Sequence, residues 1–177
     1  VKILLANERL NADGVNEVLR LGCEFGNPQI VQLALDHPLV DINKRCFSAF
    51  YMTVLNMACE RGSAEIVQML LDNKRLVPDQ HFTESPFFEA VAYPGILRML
   101  VADGRAVPVH KALLTAALKG YTESVKILLA HPEIDPGVNM SEALGAGVLN
   151  CRVDIVRILL KHPRTDPTAD NYRDFEE

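Results

Sequence analysis

The sequence predicts an all-α fold, a solenoid of about five stacked helix-turn-helix units with partial units at the ends. Three observations predict it. A six-residue signature returns along the chain: Ile-Val-Gln-Leu-Ala-Leu from Ile30, Ile-Val-Gln-Met-Leu-Leu from Ile66, Ile-Leu-Arg-Met-Leu-Val from Ile96, Ser-Val-Lys-Ile-Leu-Leu from Ser124 and Ile-Val-Arg-Ile-Leu-Leu from Ile155. Its second position falls at Val1, Val31, Val67, Leu97, Val125 and Val156, giving spacings of 30, 36, 30, 28 and 31 residues. Each full copy lies in a second apolar helix, preceded by a shorter one and followed by a closing turn. Such a unit cannot bury its apolar stripe alone, so stacked neighbours supply the core.

The units follow in order as one domain over residues 1–177. A partial unit covers 1–13, and full units run near 14–49, 50–81, 82–108, 109–138 and 139–169. The second full unit displays the logic most plainly. Val54, Leu55 and Ala58 recur at helical spacing and form one narrow stripe. Gly62 is placed to take positive φ and end that helix, and Ser63 to cap the next. Ile66, Val67, Leu70 and Leu71 make the second stripe, and Pro78 closes the unit because proline cannot continue a helix.

The first, fourth and fifth units close on a sharper turn: Asp36-His37-Pro38, Ala130-His131-Pro132 and Lys161-His162-Pro163. An aspartate follows each proline by three residues, at Asp41, Asp135 and Asp166, and is expected to accept local backbone amides as in an Asx turn. The histidines fall at helix C-termini, where partial positive charge is favourable. Equivalent positions on successive units lie about 10 Å apart, too far to share one zinc ion. The third unit shortens its inter-helix turn to Ala92-Tyr93-Pro94-Gly95, and the loop before the second is long, carrying Lys44 through Met52. The fifth places Cys151 where others have Gly26, Gly62 and Gly120, a strained choice if that site needs positive φ. Residues 170–177 open another partial unit, with Asp174 where earlier copies carry Val54 and Ala143. The chain begins in mid-pattern at Val1, so we expect it to be one piece of a longer polypeptide.

Composition sets the function classes aside or keeps them. Apolar residues make up 49% and charged residues 23%, which suits a packed chain and not a disordered one. The net charge of −5 argues against a nucleic-acid footprint, which needs a clustered basic face. No apolar run approaches the roughly 18 residues of a membrane span, and no signal peptide is visible. Cys23, Cys46, Cys59 and Cys151 form no CxxC pair; Cys23 and Cys59 occupy one repeated place that Ala117 and Val148 fill later, a small buried site. Free cysteines of this kind fit a reducing intracellular compartment, cytoplasmic or nuclear. No Gly-rich phosphate loop and no convergent base and nucleophile stand out, so no enzymatic activity, cofactor, metal or small-molecule substrate is expected.

A unit of about 31 residues opening on Thr-x-Leu-x-x-Ala resembles the ankyrin repeat. Thr53-Val54-Leu55-Asn56-Met57-Ala58 and Ser85-Pro86-Phe87-Phe88-Glu89-Ala90 carry the resemblance, as do the tails Gly62-Val67-Leu70-Leu71 and Gly120-Val125-Leu128-Leu129. The signature threonine is Glu17, Lys111 and Glu142 in other copies, and the His-Pro-x-x-Asp turns replace the usual one, so the array is a divergent one. The resemblance implies a non-enzymatic scaffold that binds a partner protein on its concave face and loop tips. The alternative is a recruiting or regulatory arm of a larger enzyme or ubiquitin-ligase adaptor. Carried over by position, the implied contacts lie just before each first helix and at its C-terminal end. They are Asn16, Glu24, Phe25, Phe50, Tyr51, Met52, Glu60, Arg61, Glu84, Tyr93, His110, Lys119, Ser141 and Asn150. Phe50, Tyr51, Met52 and Tyr93 weigh most, because exposed aromatics and Met are enriched at interface hot spots. Leu35 to Asn43 is similar to the ankyrin loops modified by an asparaginyl hydroxylase, which makes Asn43 a modification candidate.

Overall fold

A computed structural model describes residues 11–45, 52–78, 85–106, 110–132, 134 and 136–162, with backbone alone over 136–141. Five helical hairpins form among these residues. The first pairs α1 (Ala12–Glu24) with α2 (Pro28–Leu35), and the second pairs α3 (Val54–Glu60) with α4 (Ala64–Asp72). The third joins α5 (Pro86–Glu89), continued by a 3-10 turn at Ala90–Ala92, to α6 (Pro94–Asp103). The fourth and fifth pair α7 (His110–Lys119) with α8 (Thr122–Leu129), and α9 (Pro136–Leu149) with α10 (Val153–Leu160). No strand occurs among the described residues.

The helices start where the sequence offers caps. The Asn11, Asn27, Thr53 and Ser85 side chains accept from the backbone N–H of Gly14, Ile30, Asn56 and Phe87, and Pro28 and Pro86 occupy first-turn positions that need no donor. Ser63 departs from expectation and makes no side-chain cap bond. Its hydroxyl stands over Gly26 of the preceding hairpin, 3.5 Å from where a Cβ would be.

Odd-numbered helices form one layer and even-numbered helices the other. Every substantial helix contact is made within a hairpin or with an adjacent hairpin, so the core is a row of shared junctions. Leu19, Leu55, Phe87, Leu113 and Leu144 fill it from the first helices, and Val31, Val67, Leu97 and Val125 from the second. Burying each of these contributes about 1.5–3 kcal/mol. Phe87 is fully buried, whereas Phe88 is half-buried with Lys111 Nζ 4.6 Å from its ring centre.

The turn between the two helices is one backbone device used four times. Gly26, Gly62, Gly120 and Cys151 all carry positive φ, at 64°, 69°, 84° and 55°. The three glycines adopt this freely; Cys151 bears a Cβ penalty of about 1–2 kcal/mol. Replacing Cys151→Gly is therefore expected to stabilise the array by about 1 kcal/mol, part of the strain relief being offset by the entropy glycine gains when unfolded. Thermal unfolding checks this, and a lower melting temperature would refute it.

Side chains stitch successive units together. The Arg105 guanidinium donates from Nη1 to Leu76 O at 2.9 Å and Asn73 O at 3.4 Å, and from Nη2 to Leu71 O. It thus satisfies carbonyls left over at the end of α4. Asp103 holds the same guanidinium at 2.7 Å, and that partner keeps the Asp103 carboxyl below its ordinary range. Arg75 repeats the device one unit earlier, reaching Leu35 O at the end of α2. Asn43 bonds the next loop with both ends of its amide, donating to Arg75 O at 2.8 Å and accepting from Val77 N–H at 2.7 Å. Ser124 Oγ, fully buried, donates to Val91 O at 2.7 Å.

The closing turns behave in part as the sequence predicts. Asp41 Oδ1 accepts from Asn43 N–H at 3.0 Å, an Asx turn. Asp135 and Asp166 lie outside the described residues. His37 does more than sit at a helix end: its Nδ1 accepts from Leu39 N–H at 3.2 Å. The His131 ring packs edge-on against Phe87 with centroids 6.1 Å apart.

Candidate protein-interaction face

Two rows of residues carry the expected contacts, and the structure treats them differently. In the row expected before the first helices, the described members Asn16, Met52 and His110 are buried or half-buried, and Asn16 lies inside α1 and not before it. Met52 retains only 8% exposure and belongs to the core, which corrects its assignment as an exposed anchor. Asn16 is buried and accepts from Asp41 N–H at 2.8 Å, an internal tie between helix and loop. His110, at the start of α7, is half-buried. Phe50, Tyr51 and Glu84 lie outside the described residues, as does the side chain of Ser141.

The row at the C-terminal ends of the first helices is open. Phe25 is 76% exposed and Tyr93 partly so, while Glu60, Arg61, Lys119 and Asn150 face solvent. Glu24 is half-buried and held by Arg20, which also bridges Glu17 and lowers that carboxyl's pKa. Asn150 donates from Nδ2 to Ala146 O at 2.8 Å, so its amide also closes the end of α9.

Apolar exposure concentrates on the same edge. Eleven large apolar side chains are exposed among the described residues, and eight of them lie at or beside the inter-helix turns: Leu21, Phe25, Tyr93, Leu118, Tyr121, Val148, Leu149 and Val153. Leu39, Val77 and Leu160 are the other three among the described residues. Leu118, Tyr121, Leu149 and Val153 were not singled out by their sequence, yet a signal was present. Leu118 and Leu149 stand two residues before the turn, where earlier copies carry Glu24 and Glu60. Val148 corrects a further expectation, since it is exposed where Cys23, Cys59 and Ala117 are fully buried.

The edge is also preorganised. The Tyr93 ring lies on Gly62, so near that a Cβ there would stand 2.4 Å from the ring, and the Arg152 guanidinium covers Gly120 in the same way. Burial pushes the Cys59 thiol strongly up, so it stays protonated and unreactive. Among the described residues no three His, Cys, Asp or Glu side chains gather as metal ligands, and no helix is long and apolar enough to cross a membrane.

Comparison with known families fits the hairpin row. A family model described as ankyrin repeats (3 copies) matches residues 19–110. The chain belongs to the ankyrin repeat family. Its fold is similar to the crystal structure of the human ASB11 ankyrin repeat domain, with a TM-score of 0.70 and 20% identity over 83% of this chain and 69% of that one. At that identity the likeness speaks to the fold alone. No curated protein sequence matches the chain. Ankyrin repeats are generally protein–protein interaction modules, and the ankyrin fold is typically non-enzymatic.

Proposed function

We propose that this ankyrin array is a non-enzymatic scaffold that holds a partner protein along its first-helix face and the adjoining turn edge. One observation supports the reading: exposed apolar side chains gather at the turn edge, with Phe25, Tyr93, Leu118 and Leu149 on the first, third, fourth and fifth hairpins. Large apolar and aromatic groups interspersed along the edge with the exposed Glu60, Arg61 and Lys119 have the composition of an interface core with a polar rim. The test is partner capture by the intact chain against a variant carrying Phe25→Ser, Leu118→Ser and Leu149→Ser. A control replaces Gln32 and Gln68, exposed on the second helices, with alanine. Capture should fall at least tenfold for the first variant and be unchanged for the control. The reverse pattern would move the site to the other face.

Asn43 is proposed as the modified residue of its loop. Its amide is bonded to Arg75 and Val77, so a hydroxylase must draw the loop away from its neighbour to reach the Cβ. Incubation with active enzyme should add one oxygen mapping to Asn43; an unmodified peptide would dismiss the site.

A further inference from the structure

Burial at equivalent positions follows a rule in four hairpins and breaks in the fifth. Cys23, Cys59, Val91 and Ala117 are buried at 0–6% exposure, but Val148 in the same place is 54% exposed. Val31, Val67, Leu97 and Val125 are fully buried, while Val156 is only half-buried. Leu35 and Leu71 are buried and Val101 and Leu129 half-buried, whereas Leu160 is 49% exposed. In the earlier units these positions are closed by the hairpin that follows, since each helix packs on its own partner and on adjacent hairpins. Val148, Val156 and Leu160 therefore have the chemistry of an inter-unit junction, continuous with the four already filled.

We infer that the end face of α9 and α10 is an open repeat junction whose occupant is a further helical hairpin in the same register. The sequence after α10 supports that occupant over any other apolar partner. His162-Pro163 and Asp166-Pro167 repeat His131-Pro132 and Asp135-Pro136 at an offset of 31 residues, without a gap. The same offset puts Phe175 in the place of Leu144 and of the buried Leu113 before it. A junction of this kind couples neighbours, so filling it stabilises the hairpin beneath.

The experiment completes the hairpin. Glu177 stands two 31-residue periods after Thr115, so the fourth unit's residues 116–131 are appended after Glu177 to continue the pattern in register. Hydrogen exchange is then followed in the peptide spanning residues 147–160, in the chain with and without the extension. The extension should slow exchange there by at least tenfold and raise the melting temperature by several degrees. Leu160→Asp in the extended chain should erase both gains. Unchanged exchange would overturn the inference. So would a dimer of the unextended chain that protects the same peptide and dissociates on Leu160→Asp, because a second copy would then be the occupant.

Discussion

Replacing Gly62→Ala is expected to destabilise the array by about 2–3 kcal/mol. Two costs combine. The backbone at Gly62 has φ of 69°, where a Cβ adds strain, and that Cβ would stand 2.4 Å from the Tyr93 ring. The ring would have to leave the turn, taking an exposed member of the candidate face with it. Melting temperature should fall by about 5–10 °C for a chain of this size. Tyr93→Ala separates the costs: in that background Gly62→Ala should retain only the backbone term, about 1–2 kcal/mol. Gly95→Ala serves as a control of opposite sign, since Gly95 lies in α6 with nothing within 4 Å of its Cβ direction. That change should stabilise by about 0.5–1 kcal/mol. Equal effects of the two glycine substitutions would defeat the account of the turn.

Arg105→Ala should cost about 2 kcal/mol, because hydrogen bonds from a charged donor are worth more than neutral ones and the Leu71 and Leu76 carbonyls lose theirs. The Leu71 and Leu76 carbonyls would lose the charged donor while Asn73 O keeps its bond from Leu76 N–H, and the loss would fall across the second and third hairpins. Arg105→Lys keeps the charge without the planar fork and should recover part of the loss, not all. The ion pair adds a pH signature. The Asp103 carboxyl is depressed in the folded chain, first by its hydrogen bond with Arg105, so its contribution is present above the ordinary carboxylate value of about 4. It is lost as pH falls through the lower folded value. Acid titration of stability should therefore be shallower in Arg105→Ala than in the parent, and identical slopes would exclude the pair as a contributor.

Features set within one unit were legible in the sequence, and features set between units were not. The positive φ at Cys151 could be read because three glycines hold the same place one period apart, and period is a property of the chain alone. Helix starts at Thr53 and Ser85 were readable for the same local reason. Arg75, Arg105 and Asn43 act on backbone in the neighbouring unit, about one period away, and no motif announces which side chain projects along the stack. Met52 misled because it follows Phe50 and Tyr51, a run that looks solvent-facing, while its own side chain joins the buried core. Val148 misled differently. Its residue type and register match a buried row, but burial there depends on a neighbour and not on the residue itself.

Contact limited to adjacent hairpins also decides how the molecule should fail. Among the described helices, tension applied to the two ends passes through every junction in turn. The third hairpin has the shortest first helix, Pro86–Glu89, and leans on a single 3-10 turn to complete it. A stretched array should rupture there first, leaving two folded remnants like a necklace parted at one bead.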